Sequence, residues 1–460
     1  MDNTREIFKS KIGAILAAAG SAVGLGNVWR FPIVTADNGG AAFIFIYILC
    51  IVILGLPIMI SEFLIGRHTH SNTAGAYRIL SGGNMWKWVG RLGVFTGWFI
   101  LCYYSVVGGW TMHYTWLSIS NAFKGVPAQE YEGIFDNFVS NPWMPTIWFV
   151  LFIGICHYVI TKGVQSGIER FSKILMPTLF IIVIVLTICS LMLPGASKGV
   201  EFLLKPDWDK VTSTTILQAM GQAFFSLSLG MGCLCTYASY FEPSTPLAKT
   251  AFNVSLIDTL IAIMAGFIIF PSVFNIGMNP NEVGAGASLT FISLPNVFQQ
   301  SFGDGSILAI IFSTLFYFLL FVASLTSAMS LYEVATAYVS EEFNLSRKKG
   351  VTIVTAVVLG LGILCSLSFG PLNGYTILDR NIFSVFDDFS GMILLPLGGM
   401  LIAIFAGWIL DRQLYREEIT NSGEIKAPYF KALIFSLRYI APAAIGLVFL
   451  DQFGMFNFLK

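Results

Sequence analysis

Eleven apolar runs, each near or above the roughly 20 residues a helix needs to cross a bilayer, partition the chain. They lie at about 12–36, 41–66, 89–120, 144–161, 168–193, 214–240, 249–275, 306–340, 350–369, 382–410 and 432–450. The pattern predicts an all-α polytopic membrane protein. An amphipathic stretch at 289–302 is too short and polar to cross and is expected in an external loop. Two runs are broken by glycine: Gly20-Ser-Ala-Val-Gly24-Leu-Gly26-Asn27 in the first and Ser226-Leu-Ser228-Leu-Gly230-Met-Gly232 in the sixth. In hydrocarbon an unsatisfied backbone amide or carbonyl costs several kcal/mol, so a helix comes undone only inside protein or beside a cavity.

Composition supports the membrane reading. The chain has 460 residues, of which 55% are hydrophobic and only 11% charged, with a mean hydropathy of +0.75. Soluble domains carry about 25% charged residues. The formal net charge is zero, so nothing points to nucleic acid. No cleavable signal peptide is visible, because the first run is too long and has no small-residue cleavage site. All seven cysteines fall within apolar runs, which argues against a structural disulfide, and Cys233-Leu-Cys235 reads as buried small residues rather than a metal pair. With the N-terminus inside, 19 of the 26 Lys and Arg residues fall on the cytoplasmic side, as the positive-inside rule requires. An odd number of spans then places the C-terminus outside.

Five spans followed by five more give two halves of opposite topology, because five is odd. The expected division is a first repeat at 1–195, a second at 196–411, and a loop with the final span at 412–460. The two breaks occupy corresponding places, the first span of each half. Paired interruptions of this kind point to a substrate site at the membrane midplane of a secondary transporter. Taken alone, Gly20-x-x-x-Gly24 could be a helix-dimerisation face, but the Gly24-Leu-Gly26-Asn27 continuation and the matching sixth-span break favour unwinding. A dinucleotide fingerprint is excluded, since no strand precedes these glycines.

The segment Gly20-Ser-Ala-Val-Gly-Leu-Gly-Asn-Val-Trp-Arg-Phe-Pro32, followed by Asn38-Gly-Gly-Ala-Ala-Phe43, closely resembles the first-helix signature of neurotransmitter:sodium symporters. Gln222-Ala-Phe-Phe-Ser-Leu-Ser-Leu-Gly-Met-Gly232 and Ala323-Ser-Leu-Thr-Ser327 resemble the family's sixth- and eighth-helix motifs. The resemblance is co-linear over nearly the whole chain. It implies a 5+5 inverted-repeat fold with broken helices one and six and one extra C-terminal span, as in eleven-span bacterial members that carry amino acids. It further implies symport driven by sodium, with two ion sites and no organic cofactor.

Carried over residue by residue, the resemblance places a substrate carboxylate on the unwound Gly24, Leu25 and Gly26 and on the Tyr104 hydroxyl. A half-helix end with free amides suits an anion. The ammonium is expected on carbonyls of Ala22, Phe225 and Ser226, with Ser228 nearby, and the side-chain pocket on Ile100, Phe225, Ser228, Met231, Ser324, Ser327 and Leu331. Sodium-one falls to Ala22, Asn27, Ser226, Asp258 and the substrate carboxylate. Sodium-two falls to the carbonyls of Gly20, Val23 and Ala323 and the hydroxyls of Thr326 and Ser327. Hydroxyls at Thr326 and Ser327 could instead bond back to their own helix.

Asp258 stands in an apolar run, where an acid is by default a functional-site candidate. It occupies a position where the family commonly has a sodium-coordinating Asn, while Ala262 stands where chloride-dependent members have Ser. Asp258 is therefore expected to ligate sodium-one and replace chloride, with the chloride-site equivalents Tyr47 and Gln222 around it. An uncharged structural acid is the alternative. The expected outer gate pairs Arg30 with Asp387 or Asp388, and the inner gate pairs Arg5 with Glu341 beside the plug residue Phe8. Glu62 is expected to brace the broken backbone, and Gly167 with Pro177 match a pattern linked to unwinding of span five. Each gate pair could equally be an ordinary surface ion pair.

The expected pocket carries no charge, and Gly24 stands where monoamine carriers have Asp, which argues for an intact neutral amino acid. Met231 leaves room for aromatic side chains. An osmolyte or amine is the runner-up substrate, and a sodium-dependent receptor without transport is a competing class. A channel lacks its continuous polar stripe. For a membrane enzyme, the four histidines show no nucleophile–base spacing, and His68-x-His70 reads as a solvated turn. Oligomeric state is not legible.

Overall fold

A computed structural model describes residues 6–279 and 286–452. Nine uninterrupted helices among them are long and apolar enough to cross a membrane. In chain order they are α3 (Ala41–Thr69), α4 (Lys87–Ile119), α5 (Met144–Thr161), α6 (Val164–Leu191), α9 (Leu247–Asn275), α10 (Ile307–Glu342), α11 (Arg347–Leu367), α12 (Ile382–Ile409) and α13 (Phe430–Asp451). The first span is a bent pair, α1 (Lys11–Ala22) and α2 (Gly26–Asp37), meeting at 49°. The sixth consists of α7 (Ser213–Ser226) and α8 (Cys233–Ala238), separated by an irregular stretch. Neither half of the sixth span crosses alone, yet together they fill the expected run at 214–240. The stretch at 289–302 is not an open loop. It forms Leu289–Ser293 and Leu294–Phe302, which bury Phe291 and Phe298 against Tyr317 and Phe316.

The second break is written in backbone conformation. Ser228, Gly230 and Gly232 have φ of +54°, +84° and +75°, a left-handed region that glycine enters freely and other residues rarely. A side chain at Gly230 would also sit 2.9 Å from the Leu395 carbonyl oxygen. Ser228 is the costly member, and its hydroxyl anchors the turn by donating to the Ser21 carbonyl at 2.8 Å. The first break leaves Val23 extended, with ψ of 105°.

Around these breaks, α4 and α10 pack along each other's length and α1 packs on α6, α9 and α10. Within a bilayer, small residues let helix backbones approach closely. Gly66 of α3 lies so near α8 that a Cβ there would stand 2.0 Å from the Cys235 carbonyl oxygen. Gly97 of α4 faces the Met231 carbonyl in the same way, at 2.9 Å. None of the seven cysteines is in a disulfide. His68 faces Glu418 and His70 the Ser239 carbonyl, so the two imidazoles serve separate contacts.

Gly66→Ala must push α8 away from α3. The expected cost is about 1–3 kcal/mol, in the range of overpacked cores, read as a lowered melting temperature of the purified protein. Gly154→Ala, where an added Cβ meets nothing within 4 Å, is the control expected to leave it unchanged.

Candidate functional site

The two breaks face each other across a small cavity. Every candidate substrate residue from the sequence lines it except Ser324. Ser324 instead donates to the Phe321 carbonyl of its own helix at 2.9 Å, which turns it away from the cavity. Ser21 and Ser330 take part in the lining and were not expected. Ser21 lies inside the first break, and Ser330 follows Ser327 by three residues on the same helix face, so helical spacing contained the signal for the second. Their hydroxyls bond at 2.8 Å.

One end of the cavity is polar. The Leu25 amide donates to the Tyr104 hydroxyl at 3.2 Å, and the Gly24 amide donates to Asn27 Oδ1 at 3.0 Å. A Cβ at Gly24 would fall 2.6 Å from Ser327 Oγ and 2.8 Å from the Tyr104 hydroxyl, so only glycine leaves this end open. The other end is formed by Ile100, Phe225, Met231 and Leu331.

Beneath the first break, Asp258 is fully buried. Asn27 Nδ2 donates to its Oδ1 at 2.7 Å and to its carbonyl at 3.0 Å, and the Ser226 hydroxyl donates to Oδ2 at 2.8 Å. The Tyr47 hydroxyl reaches Oδ2 at 3.4 Å. These donors are all neutral. A carboxylate held this way keeps its negative charge uncompensated, which suits a cation held by oxygen ligands. Gln222 does not join the group as expected: its amide nitrogen donates to the Gly26 carbonyl at 3.1 Å, because the unwound backbone there needs a donor.

A second oxygen cluster lies where α1 meets α10. Ser327 Oγ stands 3.3 Å from the Gly20 carbonyl, 3.3 Å from that of Ser21 and 3.0 Å from that of Val23. One hydroxyl proton cannot serve three acceptors. Thr326 Oγ1 bonds within its own helix, to Val322 and Ala323 carbonyls at 3.2 and 3.0 Å. The excess of acceptors over donors is what a hard cation satisfies.

The sequence profile of the Sodium:neurotransmitter symporter family matches residues 5–127 and 134–459. The chain belongs to the sodium:neurotransmitter symporter family. An uncharacterized sodium-dependent transporter of Bacillus subtilis is 36% identical over 451 residues, covering 98% of each chain. The sodium-dependent nutrient amino acid transporter 1 of Drosophila persimilis is 25% identical over 473 residues, covering 88% of this chain and 69% of the relative. Among solved structures, that of MhsT in complex with L-phenylalanine superposes with a TM-score of 0.87 at 43% identity, covering 97% of this chain and 100% of MhsT. Sodium-dependent transport through an integral membrane protein follows, and an enzyme is excluded.

The residues expected to gate this symporter are distributed unevenly. Phe225 lines the cavity and also a second one that Arg30 borders. The Arg30 guanidinium lies 5.1 Å from the Phe225 ring centre, so the two form the partition. Asp387 hydrogen-bonds with Tyr103 and lies within electrostatic reach of Arg30, whereas Asp388 is drawn off into an ion pair with Arg380. Geometry therefore favours Asp387 and sets Asp388 aside. At the opposite end, Arg5 lies outside the described residues. Glu341 accepts from the Asn72 backbone and side-chain nitrogens at 2.8 and 2.9 Å. Phe8 is buried among Tyr237, Tyr240 and Phe241. Glu62 accepts the Gly230 amide at 2.8 Å, holding the second break. Val164–Glu169 begins α6 with a wide π-type turn, and Pro177 interrupts its interior.

Ser327→Ala removes the hydroxyl that gathers three carbonyls. The apparent sodium affinity, read from thermal stabilisation across a sodium titration at constant ionic strength, is expected to fall about tenfold, or ~1.4 kcal/mol. Stability in sodium-free buffer should change little.

Proposed function

We propose that this chain imports neutral hydrophobic L-amino acids, aromatic ones included, with two sodium ions per substrate and without chloride. The observation that carries the reading is the uncharged cavity enclosed by both helix breaks. Its polar end offers the Gly24–Gly26 backbone and the Tyr104 hydroxyl to a carboxylate, and its far end is apolar. The absence of an acid at Gly24 disfavours a lone amine. The solved MhsT structure with L-phenylalanine supports a side chain of that class.

In this reading sodium-one lies between Asn27, Ser226, Asp258, the Ala22 carbonyl and the substrate carboxylate. An ion and a substrate that share a ligand each bind poorly alone, which couples them. Asp258 supplies the negative charge that chloride provides elsewhere, so the anion belongs to the chain. Sodium-two occupies the Gly20, Val23, Ala323, Thr326 and Ser327 oxygens. It ties α1 to α10 and escapes towards the cytoplasm. The N-terminus is cytoplasmic and the C-terminus external, following the Lys and Arg bias. The two repeats, 1–195 and 196–411, supply one break each to the alternating-access cycle, and Arg30, Phe225 and Asp387 close the external path. Two charges moved across 100 mV supply roughly 4.6 kcal/mol before any concentration gradient.

Uptake of labelled leucine and tryptophan into proteoliposomes under an inward sodium gradient tests the reading. Accumulation is expected, equal in chloride and gluconate. Sodium-dependent binding without accumulation would make the protein a receptor, and loss of uptake in gluconate would remove the role given to Asp258. Asp258→Asn is expected to abolish uptake in gluconate. Tyr104→Phe removes one carboxylate partner and should weaken substrate binding by about tenfold, the scale of one buried hydrogen bond to a charged group.

A further inference from the structure

We propose that Glu169 is the latch of the closure on the N-terminal side, clamping the start of α1 to the start of α6 so that both segments release together. The inference rests on the alternating-access reading but concerns a residue outside the substrate and ion sites. Glu169 is only 2% exposed. Its Oε2 accepts the Lys9 backbone amide at 2.8 Å, and its Oε1 accepts the Ser10 hydroxyl at 3.1 Å. Ser10 is itself the N-cap of α1, accepting the Gly13 amide at 3.0 Å. The carboxylate thus stands at the positive end of a helix dipole, where an anion is favoured. Gly13 makes room for it, since a Cβ there would lie 2.4 Å from Glu169 Oε1.

The arrangement is reciprocal. Glu6, from the segment ahead of α1, accepts the Val164 amide at 2.7 Å at the start of α6. Gln165 donates to the Ile7 carbonyl at 2.7 Å. Each element therefore supplies an acid that accepts a backbone amide at the start of the other, Lys9 just ahead of α1 and Val164 at the first residue of α6. Separating α1 from α6 breaks both contacts at once. Lys173 also meets Glu169 Oε1, at 2.6 Å, but it lies on α6 and is 40% exposed, so it balances charge without bridging the two elements.

The latch is positioned to report on the sodium-two cluster. Ser10 caps α1 and Gly20 lies in its last turn, roughly 15 Å apart at 1.5 Å per residue. On α6, Met176 follows Glu169 by two helical turns and packs at Gly20, where an added Cβ would meet its sulfur at 3.3 Å. The same two helices thus touch at the latch and again beside the ion ligands. Displacing α1 at one contact loads the other.

Hydrogen–deuterium exchange of the purified full-length protein in sodium, without substrate, tests the proposal. Glu169→Gln keeps the shape and removes the charge, and exchange in 11–17 and in 164–169 is expected to rise together by about tenfold. Ser10→Ala, a smaller change that preserves the carboxylate, should raise the same two segments less. Lys173→Ala, which removes the balancing charge but no contact between the two elements, should raise both less than Glu169→Gln does. A rise confined to 164–169 would overturn the latch, as would a general rise extending through α9 and α10. Because no substrate is present, the outcome stands apart from whether the cargo is an amino acid.

Discussion

Everything at the centre of this transporter follows from one constraint: two helices are undone inside a bilayer, and the backbone groups they release cannot turn to water. The structure answers with side chains from other elements. Glu62 of α3 takes the Gly230 amide, Gln222 of α7 serves the Gly26 carbonyl, and Tyr104 of α4 meets the Leu25 amide. Ser228 reaches across from the second break to the Ser21 carbonyl of the first. The polar residues that make unwinding tolerable are therefore the ones that surround the cavity, and the scaffold and the site are a single network.

Close packing makes that network act as a unit. A Cβ on Gly26 would lie 2.8 Å from the Phe225 ring, and one on Gly20 would lie 3.2 Å from Thr326 Cβ. The first break is thereby wedged between the second break and α10. A change in one cannot be absorbed locally, because side chains in a dense core move only by displacing their neighbours. In the proposed reading, ion ligands drawn from α1 and α10, and from α1, α7 and α9, convert this packing into coupling. A cation in either cluster resists the same separation of helices that the cavity must undergo to empty.

Charge is used sparingly. Asp258 and Glu62 sit deep in the bundle with neutral donors, while basic residues gather towards the ends. At the N-terminal end, Glu333 is gripped by Arg347 at 2.9 and 2.5 Å and by the Tyr240 hydroxyl at 2.6 Å, directly behind Phe8. Ion pairs thus gather at this end of the bundle, and oxygen acceptors in excess of donors gather beside the breaks.

Nearly all of the cavity lining came from the family resemblance, whereas the linear pattern alone marked the apolar runs, the positions of both breaks and the unusual acid at 258. Those features are local: bilayer thickness sets the length of an apolar run, and glycine placement sets where a helix comes undone. Tertiary structure decided matters of direction and partnership. Adjacent Asp387 and Asp388 are indistinguishable as letters, but helix rotation turns one towards Arg30 and leaves the other to Arg380. Ser324 sits in the right motif and faces its own helix, whereas Ser330 faces the cavity. Glu169 reads as an ordinary acid near a helix start until the fold lays α1 against it. A side chain's role depends on which neighbour the bundle brings within hydrogen-bonding distance, and that is set by packing between segments far apart in the chain.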